Sequence, residues 1–228
     1  MMNWLNVNIL WILLALATFI SFLWLKKFQN RLDMKWYVSL IIAILHTVTG
    51  VLCVKVFAFL ESFGSAAKGS MSLFGGIFFM PCLYFVGAKL FKRKLSDVFD
   101  ILTVPMVFTL FCARINCLFN GCCLGIQISA NSAARVPTRQ IELLFYFILL
   151  NVLVVLIDKD QLKGRAYPLF MMSYGILRFV IEFFRESEYI YGVFHISHLW
   201  AVLSFMIGLS VYLILSKKNG KMMNGTNN

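Results

Sequence analysis

The sequence predicts an all-α fold: a polytopic membrane bundle of about seven transmembrane helices, with the N-terminus outside and the C-terminus cytoplasmic. Three observations lead there. Hydrophobic residues make up 61% of the chain and charged residues 14%, against roughly half and a quarter in soluble domains. The apolar residues come in long blocks rather than in the stripes of a surface helix. Basic residues, which give a formal net charge of +11, fall in short segments between those blocks, where they meet lipid phosphates and orient the bundle; no nucleic acid partner is implied. With four prolines, no low-complexity tract and no internal repeat, residues 1–228 read as a single integral membrane domain.

A spanning helix needs roughly 20 mostly apolar residues. Seven stretches meet that need: 7–25, 37–60, 71–91, 98–119, 140–157, 166–184 and 195–215. The first begins with no positive charge and no small-residue cleavage site follows it, so it reads as a retained helix rather than a signal peptide. Segments 26–35, 89–94, 159–165 and 217–221 together carry fourteen Lys and Arg. The alternate connections carry four, Lys68, Arg135, Arg139 and Arg185, while Lys55, Arg114 and Arg178 lie within helices. The fourteen belong on the cytoplasmic side.

This topology places the polar residues. Helix four runs outward, so Arg114 lies in its outer part, and Asn120 and Gly121 open an external connection. Helix five starts outside near Glu142, helix three near Ser72, and helix seven near His195 and His198. In helix six, Arg178, Glu182 and Arg185 stand at i, i+4 and i+7 and share one face. These residues converge at the depth of the outer leaflet.

Two chemistries fit the convergence. Arg178 with Glu182, and Glu142 with Arg114, could be ion pairs that fix helix packing. Alternatively the guanidiniums hold a phosphate, because their planar fork makes paired hydrogen bonds to phosphate oxygens; at this depth the phosphates belong to phospholipids. Ionisable groups inside a membrane favour the second reading. Gly75-Gly76, preceded by Gly69, Ser70 and Ser72, permits either close helix packing or the approach of a substrate head group. His46, near the middle of helix two, is either a general base or a hydrogen-bonded packing residue. His195 and His198 read as interfacial.

The segment Arg114-Ile115-Asn116-Cys117-Leu118-Phe119-Asn120-Gly121-Cys122-Cys123-Leu124-Gly125 holds three of the six cysteines. Two cysteine pairs with flanking histidines, the usual zinc pattern, are not found, so neither a metal nor another cofactor is expected. Cys122 and Cys123 fall at an external face, where a disulfide or a redox role is open.

Four motifs resemble the prolipoprotein diacylglyceryl transferase family. Arg114-Ile115 through Asn120-Gly121 to Gly125 looks like its signature of an arginine, an asparagine-glycine pair and a later glycine. Ser72-Leu73-Phe74-Gly75-Gly76 is similar to its serine-aromatic-histidine-glycine-glycine segment. Pro137-Thr138-Arg139-Gln140-Ile141-Glu142 is similar to its proline-serine-glutamine segment ending in glutamate. Tyr174-Gly175, Arg178-Phe179 and Glu182-Phe183-Phe184-Arg185 follow its last motif. The matches run in family order over about residues 70–200; the N-terminal third shows none.

The resemblance implies a seven-helix bundle in a bacterial plasma membrane. Its reaction would move the diacylglyceryl group of phosphatidylglycerol to the lipobox cysteine thiol of a prolipoprotein signal peptide, at the outer face, in lipoprotein biosynthesis. Arg114, Asn120, Gly121, Gly75 and Gly76 would bind the lipid. Arg178, positioned by Glu182, would stabilise the leaving phosphate, with Glu142 orienting the pocket. This chain departs from the pattern at Phe74, where the family has histidine, at Cys117 for asparagine, at Cys122 for an acidic residue, and at Arg139 for glutamine. His46 is the candidate replacement for the histidine. Two other classes stay open: a binder or carrier of a lipid or phosphorylated ligand, suggested by Phe74, and an intramembrane thiol oxidoreductase using Cys117, Cys122 and Cys123. A transporter fits less well, since the charges gather near one face.

Overall fold

A computed structural model describes residues 2–62, 71–129, 134–186 and 194–225. Among these residues seven α-helices follow one another: α1 (Met2–Lys27), α2 (Trp36–Glu61), α3 (Phe74–Leu90), α4 (Leu95–Asn120), α5 (Thr138–Asp158), α6 (Ala166–Glu182) and α7 (Ile196–Gly225). The chain is a multi-pass membrane protein. Among the described residues five helices, α1, α2, α4, α5 and α7, are long and apolar enough to cross a membrane by themselves. The other two are 17 residues each, about 26 Å at 1.5 Å per residue. Helix three begins at Phe74 rather than residue 71 because Ser72 turns back, its amide donating to Val54 O at 3.0 Å.

Helix α4 is the central post. In its apolar window 67% of the residues are buried, against 17–28% for α1, α2, α5 and α7. Trp24 Nε1 donates to Ile101 O at 2.9 Å and ties α1 to it, while Tyr167 of α6 donates to Ile77 O of α3 at 2.9 Å. Ile77, Ile101, Val107, Tyr146, Leu153 and Phe170 fill the space between. Outward faces carry Trp11, Ile44, Leu52, Phe147, Ile176 and Leu199, all exposed, as lipid-facing helices require.

The α1–α2, α3–α4 and α5–α6 connections share one end of the bundle, the basic end. A carboxylate cluster sits there. Arg31 lies 2.7 Å from both Asp97 and Asp160. The buried Asp100 accepts from Gly164 N at 2.7 Å and Ala166 N at 2.9 Å, which satisfies free amides at the start of α6 and complements its dipole. Lys27 pairs with Asp158, and Arg93 with Asp33.

At the opposite end the α4–α5 connection folds over the end of α6. Ile126 N donates to Phe184 O at 3.0 Å, Glu186 N to Leu124 O at 3.1 Å, and Val136 N to Ile126 O at 3.0 Å. This strap draws the end of α4, the start of α5 and the end of α6 together.

Candidate functional site

Three arginines and two glutamates meet beneath the strap. Glu142, one residue beyond the first turn of α5, lies between two guanidiniums: its Oε1 is 3.0 Å from Arg114 Nη2 and 3.3 Å from Arg178 Nη1. Arg178 Nη2 continues to Glu182 Oε2 at 2.8 Å, and Arg185 Nη1 reaches the same oxygen at 3.5 Å. Arg114, Glu142, Arg178 and Glu182 are at most 7% exposed. The i, i+4 spacing aims Arg178 and Glu182 inward; Arg185, expected on the same helical face, lies past the end of α6, where the strap holds it above them through an isolated bridge to Gly125.

Two features separate this array from a packing ion pair. Three guanidiniums face two carboxylates, so the array needs a further anion beside it, and the Cys123 sulfur stands 3.5 Å from Arg114 Nη1. Donors are also left over: Nε of Arg114, Arg178 and Arg185 makes no hydrogen bond among the described residues, nor do the hydroxyls of Tyr146 and Tyr174, and they outnumber the carboxylate oxygen left in the same position, Glu142 Oε2. An anion with several oxygens matches that surplus.

Phe74 stands over Arg178, ring centroid to guanidinium carbon 5.9 Å, and edge-on to Tyr174 at 5.5 Å. The aromatic ring at this position binds a cation by its face and has no proton to exchange.

His195 and His198, expected at the interface, are buried. His195 Nδ1 is 3.6 Å from Glu182 Oε1, and His198 Nδ1 accepts from His195 N at 2.9 Å. Sequence reasoning missed His195 as a site residue. Its signal was position alone, at the start of the helix that follows Glu182.

Other expected residues are placed elsewhere. His46 bonds Tyr84 OH through Nε2 at 2.8 Å, and Tyr84 packs on Phe99 and Tyr167. Phe74 of α3 stands opposite Phe57 of α2, and His46 is eleven residues back along that helix, roughly 16 Å. The structure thus corrects His46 as the replacement base. Gly75 is a packing residue: a Cβ there would meet Cys53 O at 2.2 Å, and at Gly76 it would meet Met106 Cε at 2.8 Å. Both glycines are buried against α2 and α4 rather than open to a head group. Gly121 caps α4 in the left-handed region, φ 68°, as helix ends favour. Asn120 is exposed and donates to Asn116 Oδ1 at 2.9 Å. Neither touches the guanidiniums. Gly69, Ser70 and Lys68 lie outside the described residues.

The turn after Gly121 has an unforeseen result. It folds Cys122 and Cys123 back over Cys117, so that the three Sγ atoms lie within 4.8 Å of one another. Arg114 Nη1 donates to Cys123 Sγ at 3.5 Å. Hydrogen bonds from the Cys117 and Cys122 thiols, helped by Arg185 and Arg114, pull the Cys123 thiol well below its ordinary range. Among the described residues this is the group able to hold a soft metal ion.

A family model described as prolipoprotein diacylglyceryl transferase matches residues 2–214. The chain belongs to this family. The match takes in the N-terminal third, where the short motifs gave no resemblance. Relatives named phosphatidylglycerol–prolipoprotein diacylglyceryl transferase include one from Ehrlichia ruminantium (strain Welgevonden), 28% identical over 135 residues, 53% of this chain and 52% of the relative. One from Wolbachia sp. subsp. Brugia malayi (strain TRS) is 26% identical over 175 residues, 68% and 65%. One from Pasteurella multocida (strain Pm70) is 28% identical over 169 residues, 68% and 63%. The chain spans about half the length of the Ehrlichia relative.

Proposed function

We propose that the protein transfers the diacylglyceryl group of phosphatidylglycerol to the lipobox cysteine thiol of a prolipoprotein signal peptide, at the outer face of a bacterial plasma membrane. The observation that carries this is the surplus of hydrogen-bond donors in the Arg114–Glu142–Arg178–Glu182–Arg185 array. The phosphodiester of phosphatidylglycerol brings one negative charge and becomes a dianionic monoester as the thiol displaces it. Arg114 and Arg178 offer most to the product-like charge, which is the condition for catalysis rather than mere binding. Glu142 keeps the two guanidiniums at one spacing and Glu182 orients Arg178. The fourteen Lys and Arg of the basic end support a cytoplasmic location for that end, and hence an outer position for the array.

The test is transfer of labelled diacylglycerol from phosphatidylglycerol vesicles to a lipobox peptide by the purified chain. Thioether-linked peptide and free glycerol phosphate are the expected products. If lipid is retained and never consumed, the second reading holds: a carrier of the same fold, which Phe74 favours by removing the family histidine.

A further inference from the structure

We propose that Cys117, Cys122 and Cys123 form a three-thiolate site for a thiophilic dication, zinc(II) foremost, whose fourth position takes the acceptor cysteine as its thiolate. The proposal rests on the transferase reading above and supplies what that reading lacks, a group that readies the thiol.

The geometry is close to what such a site needs. Zinc–sulfur bonds of about 2.3 Å in a tetrahedron put the sulfurs about 3.8 Å apart, and the three Sγ already lie within 4.8 Å of one another. The backbone is set for this. Gly121 and Cys123 both have positive φ, 68° and 58°, and for a cysteine that conformation is unfavourable unless its surroundings impose it. They do: Thr138 Oγ1 donates to Cys123 O at 3.3 Å, and Arg139 Nη1 to Cys117 O at 3.2 Å. Cys117 and Cys123 are partly buried and Cys122 is exposed, so the cluster is open on one side. Three protein ligands with an open fourth position is the pattern of a reactive zinc site rather than a structural one.

Charge and place agree. A dication with three thiolates is a monoanion, and Arg114 Nη1 stands 3.5 Å from Cys123 Sγ to balance it. The same guanidinium pairs with Glu142 at the phosphate array, so a thiolate on the metal lies beside the lipid phosphate. Cys117 and Cys122 are also two of the departures from the family pattern, and Phe74 is a third. The histidine is absent in the same chain that gathers the thiols.

Coordination removes the acceptor's S–H proton to water at the open rim. The sulfur then attacks the glycerol carbon that carries the phosphate. The C–S bond forms as the C–O bond breaks, and its electron pair leaves on the oxygen of glycerol phosphate, held by Arg114 and Arg178. No oxidant or reductant is needed.

The full chain in detergent, reduced and stripped with a chelator, is titrated with zinc(II) and with cobalt(II), and transfer to a lipobox peptide is followed from pH 6 to 9. One equivalent of zinc should bind, and cobalt(II) should give intense sulfur-to-metal charge-transfer absorption. Cys122→Ser should lose this uptake, while Cys82→Ser, an exposed cysteine on α3, should keep it. The cobalt spectrum reports sulfur ligation on the intact chain, so the result does not depend on how a variant folds. Stripping should lower transfer about 30-fold at pH 7, since a free thiol with pKa near 8.5 is only about 3% ionised there, and the deficit should shrink toward pH 9; zinc should restore the rate. A reduced chain that takes up no stoichiometric metal overturns the proposal, as does a disulfide among the three cysteines that forms in place of metal uptake. Full transfer by the stripped chain at pH 7 overturns the metal and leaves the transferase reading intact. One bound zinc and retained phosphatidylglycerol with no transfer overturns both the transferase reading and the metal's part in it.

Discussion

The two ends of the bundle each bury a polar cluster, and the clusters differ in how completely they are satisfied. At the basic end, Asp100 accepts two backbone amides and Arg31 is shared among aspartates. These bonds tie α4, the α1–α2 connection and the α5–α6 connection together. At the opposite end, guanidiniums outnumber carboxylates, and Nε atoms and tyrosine hydroxyls are left unpartnered among the described residues. A satisfied cluster holds helices in place, whereas a cluster with surplus donors is arranged for a ligand.

Substitutions can break or sharpen that contrast. The largest effect should come from Arg114→Ala or Arg178→Ala, each lowering diacylglyceryl transfer by roughly 100- to 1,000-fold, the usual loss for one donor to developing charge. Thermal unfolding of both variants should stay near that of the parent; a collapse in stability with proportionate loss of activity would make the array structural. Asp100→Ala should do the reverse. It strands two buried amides at about 1–3 kcal/mol each, read as a lower unfolding temperature, with a loss of phosphatidylglycerol affinity in the surviving folded protein smaller than that of either arginine variant. Gly75→Ala should cost about 1–3 kcal/mol by pressing α3 from α2, again with lipid affinity unchanged; a selective loss of lipid affinity would return Gly75 to the binding site. The smallest effect is chemical. In the reduced, metal-free chain Cys123 keeps thiolate character as pH falls below the ordinary thiol range, so iodoacetamide should label it at pH 6 ahead of Cys82, as peptide mass mapping would show.

Much of this was legible in the sequence because the signals were local or additive. Apolar block length revealed seven helices, though α1 and α7 run past their apolar cores, since a helix does not end where its hydrophobicity does. The Arg178–Glu182 pair followed from spacing, and its meeting with Arg114 and Glu142 from the basic-residue count; Arg185, expected on the same helix, lies past the end of α6 at Glu182. What failed depended on contacts between elements. Which side of α2 met α3 decided that His46 would bond Tyr84, and nothing in either helix encoded the depth of that contact. Gly75 and Gly76 read the same whether a helix or a head group approached. The cysteine cluster escaped because its spacing resembles no common metal pattern; it exists through a left-handed cysteine, a conformation the sequence does not announce. The Asp100 network was equally silent, its partners being backbone amides.

Helix α6 joins the two clusters. Asp100 grips its first turn at Ala166, and twelve residues later, about 18 Å along the axis, it presents Arg178. Phospholipid phosphates occupy a narrow stratum of the bilayer, so a guanidinium that is to meet one has to be held at the correct altitude as well as in the correct orientation. The aspartate at the basic end serves as a mooring for that altitude: sliding α6 by one turn would tear its two amide bonds as it carried the arginine away from Glu142.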